Sequence, residues 1–140
     1  MTLVIDASVA VKWVAPEVGH GEAIALLDAG EPRVAPEFIV VECANTLWKK
    51  VSRGQLTRSQ AFEGIELISA AMHKLIPDAT LAADALEFSL AASHPVYDCL
   101  YIVCARREDA TLVTDDLRLM DKLRNAPHAP PFQPLRDNSF

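Results

Sequence analysis

Four carboxylates stand where their neighbours are otherwise apolar. Asp6 directly follows the run Leu3-Val4-Ile5, and Asp116 lies just past Thr111-Leu112-Val113 in T-L-V-T-D-D-L-R-L. Asp98 is the only charged residue in V-Y-D-C-L-Y-I-V-C-A, residues 96–105. Glu42 interrupts Phe38-Ile39-Val40-Val41 and Cys43-Ala44, and it shares a helix face with Asn45, Thr46 and Lys49. Each acid has a plain alternative. Asp6, Asp98 and Asp116 can serve as helix caps or first-turn acids, and Glu42 can lie on a solvated stripe. Taken together they point to chemistry, because carboxylates gathered at one place repel unless a divalent cation neutralises them. An all-oxygen donor set selects Mg²⁺ or Mn²⁺ over zinc or copper. A cation so held suits phosphoryl chemistry, where it activates water and stabilises charge on the leaving oxygen.

The elements that must position these acids follow from the hydrophobic pattern. Leu3-Val4-Ile5, residues 33–35, Lys74-Leu75-Ile76 and Thr111-Leu112-Val113 read as short buried strands. Between them lie helical segments at residues 9–14, 22–29, 37–53, 57–73, 80–93, 96–107 and 116–124. Thr114 is expected to cap the last of these, and Thr57 with Ser59 to open the fourth. Strands separated by helices imply a parallel sheet with helices on both faces, an α/β sandwich. Such sheets place ligand sites beyond the carboxyl ends of their strands, where Asp6 and Asp116 fall. Residues 125–140 hold four of the nine prolines and are expected to form an extended tail.

At 140 residues the chain is the size of one domain, and 51% hydrophobic against 23% charged residues excludes disorder. The net charge of −6 argues against a general polyanion-binding surface, so a nucleic-acid substrate needs local cations. Lys12, Lys49, Lys50, Arg53 and Arg58 form one candidate path, and Arg106, Arg107, Arg118, Lys122 and Arg124 a second. Cys43, Cys99 and Cys104 make no C-x-x-C pair and lie inside apolar runs, as core thiols of a reducing compartment do. The segment Leu3 to Val11 is too short for a membrane span and contains Asp6, so a cytoplasmic protein without membrane contact is expected. His20, His73, His94 and His128 are scattered, which disfavours histidine ligation and a two-histidine ribonuclease mechanism, and most of them are expected at the surface. Phosphate-loop, dinucleotide and nucleophile-elbow motifs are absent.

The fragments L-V-I-D-A-S-V, A-P-E-F-I-V-V-E-C-A-N-T-L-W, V-Y-D-C-L-Y and L-V-T-D-D-L-R-L, in this order and spacing, resemble the PIN-domain ribonucleases of the VapC toxin family. The resemblance spans nearly the whole chain and implies one PIN-like three-layer α/β/α domain over residues 1–140. It carries the family's metal-binding and catalytic roles onto Asp6, Glu42, Asp98 and Asp116. Ser8, Asn45 and Thr114 match supporting polar positions, with Asp115 a less defined neighbour. One departure is Pro95, where the family often has a small hydroxyl cap.

The activity implied is that of a type II toxin, a Mg²⁺- or Mn²⁺-dependent endoribonuclease acting on RNA such as tRNA or ribosomal RNA. A VapB-type antitoxin and a homodimer are implied as partners. Two other functions are carried forward. One is a PIN-fold binding module, weak in catalysis, that acts through its antitoxin complex. The other is a phosphatase with Asp6 as nucleophile, which lacks the second aspartate of a D-x-D loop because Ser8 stands there.

Overall fold

The structure is a computed structural model that describes residues 1–136. Its elements run β1 (Leu3–Ile5), α1 (Ala7–Val14), α2 (His20–Asp28), β2 (Arg33–Pro36), α3 (Phe38–Ser52), α4 (Arg58–Ala71) and β3 (Lys74–Ile76). A 3₁₀ turn at Asp78–Thr80 leads to α5 (Ala82–Ala92), α6 (Val96–Arg107), β4 (Thr111–Thr114), α7 (Leu117–Asn125) and β5 (Phe132–Pro134). The strands form one sheet in the order β3-β2-β1-β4-β5, and every pairing is parallel. β1 and β2 are buried along their whole length, which is why they read as continuous apolar runs rather than alternating ones.

The order of the strands fixes where the helices go. From β1 the chain steps outward to β2 and β3, then returns past all three to β4 and continues to β5. Right-handed crossovers in the two directions put α1–α4 on one face and α5–α7 on the other. Accordingly α1 packs on α2, α3 and α4, while α6 packs on α5 and lies against β1, β2 and β4. This is the expected α/β/α sandwich. Its topological switch lies between β1 and β4, with Ile5 beside Val113 in register. The next residues along, Asp6 and Thr114, therefore emerge together at the carboxyl edge.

Buried side chains complete the frame. Arg33 donates from Nε to the Ala71 carbonyl at 2.9 Å and from Nη1 to the Leu26 carbonyl at 3.3 Å, satisfying backbone acceptors near the ends of α4 and α2. Trp13 Nε1 donates to the Ala23 carbonyl at 2.8 Å and pins α1 to α2. Thr57 and Gln60 close a capping box at the start of α4, as the polar residues there suggested. Cys43, Cys99 and Cys104 are free and buried. Among the described residues no helix is long and apolar enough to cross a membrane.

Three expectations need correction. The tail is not merely extended, because Phe132–Pro134 pairs with β4 as an edge strand. Proline is tolerated there, since the outer side of an edge strand has no ladder to feed. Residues 137–140 of the expected tail lie outside the described residues. Thr114 is not the cap of α7: it ends β4, and Asp116 is the N-cap, accepting from Arg118 N and Leu119 N. The helix expected over residues 80–93 begins at Ala82, because Asp78–Thr80 form the tighter 3₁₀ turn first.

α4 packs tightly against α1 at Gly64. A Cβ there would meet Val14 Cγ1 at 2.6 Å. Gly64→Ala is expected to lower stability by about 1–2 kcal/mol, the overpacking cost exceeding alanine's better helix propensity. Denaturant unfolding measures this, and adding Val14→Ala should recover most of the loss.

Candidate active site

Asp6 leaves β1 and caps α1, accepting from Val9 N at 3.2 Å. Ser8 Oγ donates to Asp6 Oδ1 at 2.6 Å, and Thr114 Oγ1 donates to Asp6 Oδ2. Both carboxylate oxygens are therefore held, and the residue is only 4% exposed. Thr114 Oγ1 also accepts from Asp116 N at 3.0 Å, linking the two strand-end acids through one hydroxyl. The capping alternative is thus realised for Asp6 and Asp116. It does not account for their proximity.

Glu42 lies on α3, in the second turn after β2, and Asp98 lies in the first turn of α6. Both helices start at the carboxyl edge of the sheet, so their early residues lean over the same end. Tyr101 Oη, buried on α6, donates to Glu42 Oε1 at 3.4 Å. Asp98 Oδ2 lies 2.7 Å from His94 Nε2, and the His94 side chain is only 10% exposed. His94 is therefore not one of the histidines at the surface. Pro95 is the N-cap of α6 without a side-chain cap bond, and the fixed turn it makes sets His94 one helical turn from Asp98. Asn45 is exposed one turn beyond Glu42.

The electrostatics show which acids belong together. Burial pushes Asp6 up to about 6 against the hydrogen bonds from Ser8, Thr114 and Val9, and Asp116 adds to the rise. Burial likewise pushes Glu42 up to about 7, with the charges of Asp6, Asp98 and Asp116 adding and Tyr101 opposing. The four sequence-selected carboxylates thus share one field. Among the described residues none of them has a lysine or arginine ion partner; His94 is the one basic side chain within ion-pair distance of any of them. Asp115 is different. It pairs with Arg136 at 3.0 Å and Lys12 at 3.4 Å.

As the side chains stand, no group of three or more His, Cys, Asp and Glu residues among the described residues is drawn together tightly enough to hold a metal ion. Hydroxyls, His94 and backbone amides occupy the carboxylates individually instead. The donor set still fits a hard divalent cation: four carboxylates, oxygen throughout, two of them raised by burial and then by one another's charge.

An open groove of about 710 Å³ begins at this edge, lined by His94, Pro95, Asp98, Asp116, Arg118, Asp121, Lys122 and Asn125. Neither proposed basic path is continuous. Glu17 binds both Lys12 and Lys50, Arg58 covers the Phe62 ring, and Lys122 donates to the Ala92 carbonyl. Arg118 remains at the groove beside Asp116. A second groove, of about 280 Å³ and almost wholly apolar, lies between α3 and α4 with Trp48 and Phe62 on its walls.

Sequence reading missed Tyr101 and His94. The signal was present: a tyrosine three residues after Asp98 and a histidine four residues before it occupy the same helical face.

The family model for the PIN domain matches residues 3–125. Ribonuclease VapC3 of Pyrobaculum aerophilum is 28% identical over 124 residues, covering 87% of this chain and 95% of that one. Among solved structures, another protein of Pyrobaculum aerophilum aligns with a TM-score of 0.69 at 19% identity, over 91% of this chain and 88% of its own. The VapBC2 complex of Rickettsia felis, bound to a DNA fragment from its promoter, aligns with a TM-score of 0.67 at 13% identity, over 96% and 98%.

The raised pKa of Glu42 has a signed consequence for stability. Its folded value lies above the unfolded one, so the folded state binds the extra proton between about 4.5 and 7 and loses stability as pH rises through that window. In chelator, Glu42→Gln should therefore be more stable than wild type at pH 8, on the order of 1 kcal/mol after solvent screening. Thermal melts at pH 8 and pH 4 check this, and the advantage should vanish at pH 4.

Proposed function

Because the chain belongs to the PIN-domain family, we propose that it is a VapC-type endoribonuclease, the toxin of a toxin–antitoxin pair, using Mg²⁺ or Mn²⁺ at Asp6, Glu42, Asp98 and Asp116. One observation carries the reading: four carboxylates share one field at the switch point of the sheet with no lysine or arginine among their ion partners in the described residues. A divalent cation there would supply the charge that makes water a nucleophile at neutral pH and offsets charge building on the phosphate.

The chain's own groups prepare for this. Ser8 and Thr114 orient the two oxygens of Asp6, so that one carboxylate is presented in a fixed pose. Tyr101 steadies Glu42, and His94 holds Asp98 at the groove mouth. The groove leading away along α7 receives the RNA strand, with Arg118 placed for a phosphate. Among the described residues no pair of histidines faces this edge to activate a 2′-hydroxyl, so water is the nucleophile. The products then carry 5′-phosphate and 3′-hydroxyl ends.

A VapB-type antitoxin is the proposed partner, its basic segment drawn to the carboxylates and its apolar segment to the groove between α3 and α4. We place the protein in the cytoplasm, where its buried thiols stay reduced, and as a homodimer. The phosphatase reading is disfavoured by Ser8, which stands where a D-x-D loop has its second aspartate and is hydrogen-bonded to Asp6. The binding-module reading remains the alternative outcome of the test.

Purified chain incubated with cellular RNA should cut it in Mg²⁺ or Mn²⁺ but not in chelator, leaving 5′-phosphate ends. Asp98→Asn, which keeps shape and removes charge, should lose at least about a hundredfold of that rate while melting near wild type. Sequencing of the new ends measures both. Well-folded wild type that makes no cuts would favour the binding module, and a fully active Asp98→Asn would remove that residue from the site.

A further inference from the structure

Two adjacent acids end β4, and the proposed reaction uses only Asp116. Asp115 points the other way, its side chain 6% exposed. Arg136 grips it with a two-pronged fork, Nε to Oδ1 at 3.1 Å and Nη2 to Oδ2 at 3.0 Å, while Lys12 Nζ stands 3.4 Å from the same Oδ2. A bidentate pair fixes direction as well as distance. The backbone N–H of Asp115 in turn donates to Ser8 Oγ at 2.9 Å, and Ser8 Oγ donates to Asp6 Oδ1 at 2.6 Å.

Two further features show that this contact is built. Leu135 N donates to the Thr114 carbonyl at 2.9 Å, so the strand pairing of β5 delivers the next residue, Arg136, onto the loop after β4. Gly19 has φ +94°, and a Cβ there would lie 3.1 Å from Lys12 Cδ and 3.3 Å from Arg136 Cδ. Bare backbone at this corner lets both cationic side chains lie against it. Lys12 is itself anchored by Glu17, which hydrogen bonds from Lys50 and Lys12 hold below its usual range although burial works the other way.

We propose that Arg136 is a positioning residue: by clamping Asp115 it fixes the loop after β4, so that the Asp115 amide keeps Ser8 on Asp6 and Asp116 stays at the groove mouth. The consequence for catalysis rests on the function proposed above, whereas the clamp itself does not. A lysine at 136 keeps the charge but not the fork, so it restores the clamp only in part.

The test compares full-length wild type, Arg136→Met and Arg136→Lys in three measurements. Without metal, amide hydrogen exchange at Asp115 should quicken about tenfold or more in Arg136→Met, while the amides of Ile5 and Leu112 keep their protection. The Mn²⁺ dissociation constant by calorimetry should rise about tenfold, and kcat on RNA should fall with KM unchanged. Arg136→Lys should lie between the two. Unchanged exchange at Asp115 would overturn the proposal, as would equal acceleration across β1 and β4, which marks only general destabilisation. If wild type neither bound Mn²⁺ nor cut RNA, the proposed function would fall while exchange at Asp115 still decided the role of Arg136.

Discussion

Asp6 is buried at the end of the central strand beside Asp116, Glu42 and Asp98, and no lysine or arginine among the described residues pairs with any of the four. Burying like charges together is costly, and the rise of Asp6 to about 6 and Glu42 to about 7 is the form that cost takes. Much of the surrounding hydrogen bonding eases it. Ser8, Thr114 and the Val9 amide serve Asp6, Tyr101 serves Glu42 and His94 serves Asp98. Cations are available close by, yet Lys12 and Arg136 are spent on Asp115 and Lys50 on Glu17. Lys12, Lys50 and Arg136 are thus engaged by neighbouring acids rather than by these four.

Topology explains how residues so far apart in sequence share one field. Because the chain reverses its direction of travel between β1 and β4, the crossovers diverge to opposite faces and leave an open edge between those strands. Asp6 directly follows β1 there and Asp115-Asp116 follow β4, and α3 and α6, one from each layer, start at the same edge. β5 extends the sheet beyond β4 and delivers Arg136 onto the loop after β4. The geometry of this edge therefore draws on β1 and on the segment that follows β5.

Much of this was legible in the sequence, for identifiable reasons. Strands buried on both faces show as unbroken apolar runs, and an acid set into such a run is conspicuous, which is how Asp6, Asp98 and Asp116 were found. Glu42 was harder to see, because a helical glutamate beside Asn45 and Lys49 looks solvated until α6 brings Tyr101 against it. β5 was hidden by its prolines, which usually signal coil and are acceptable here only because the strand is an edge. Long-range partners were not legible at all: nothing local says that Thr114 serves Asp6 rather than capping α7, or that Asp115 belongs to Arg136. The basic clusters misled for the same reason, since pairing with Glu17 is a tertiary fact.

The central claim is that the four carboxylates form one site for a divalent cation. A crystal of the full chain soaked in Mn²⁺, with data collected at the manganese absorption edge, tests it most directly. The account predicts an anomalous peak within about 2.3 Å of carboxylate oxygens from Asp6, Asp98 and Asp116, with Glu42 turned toward it. A peak bound elsewhere, or none at saturating Mn²⁺ and neutral pH, would contradict it.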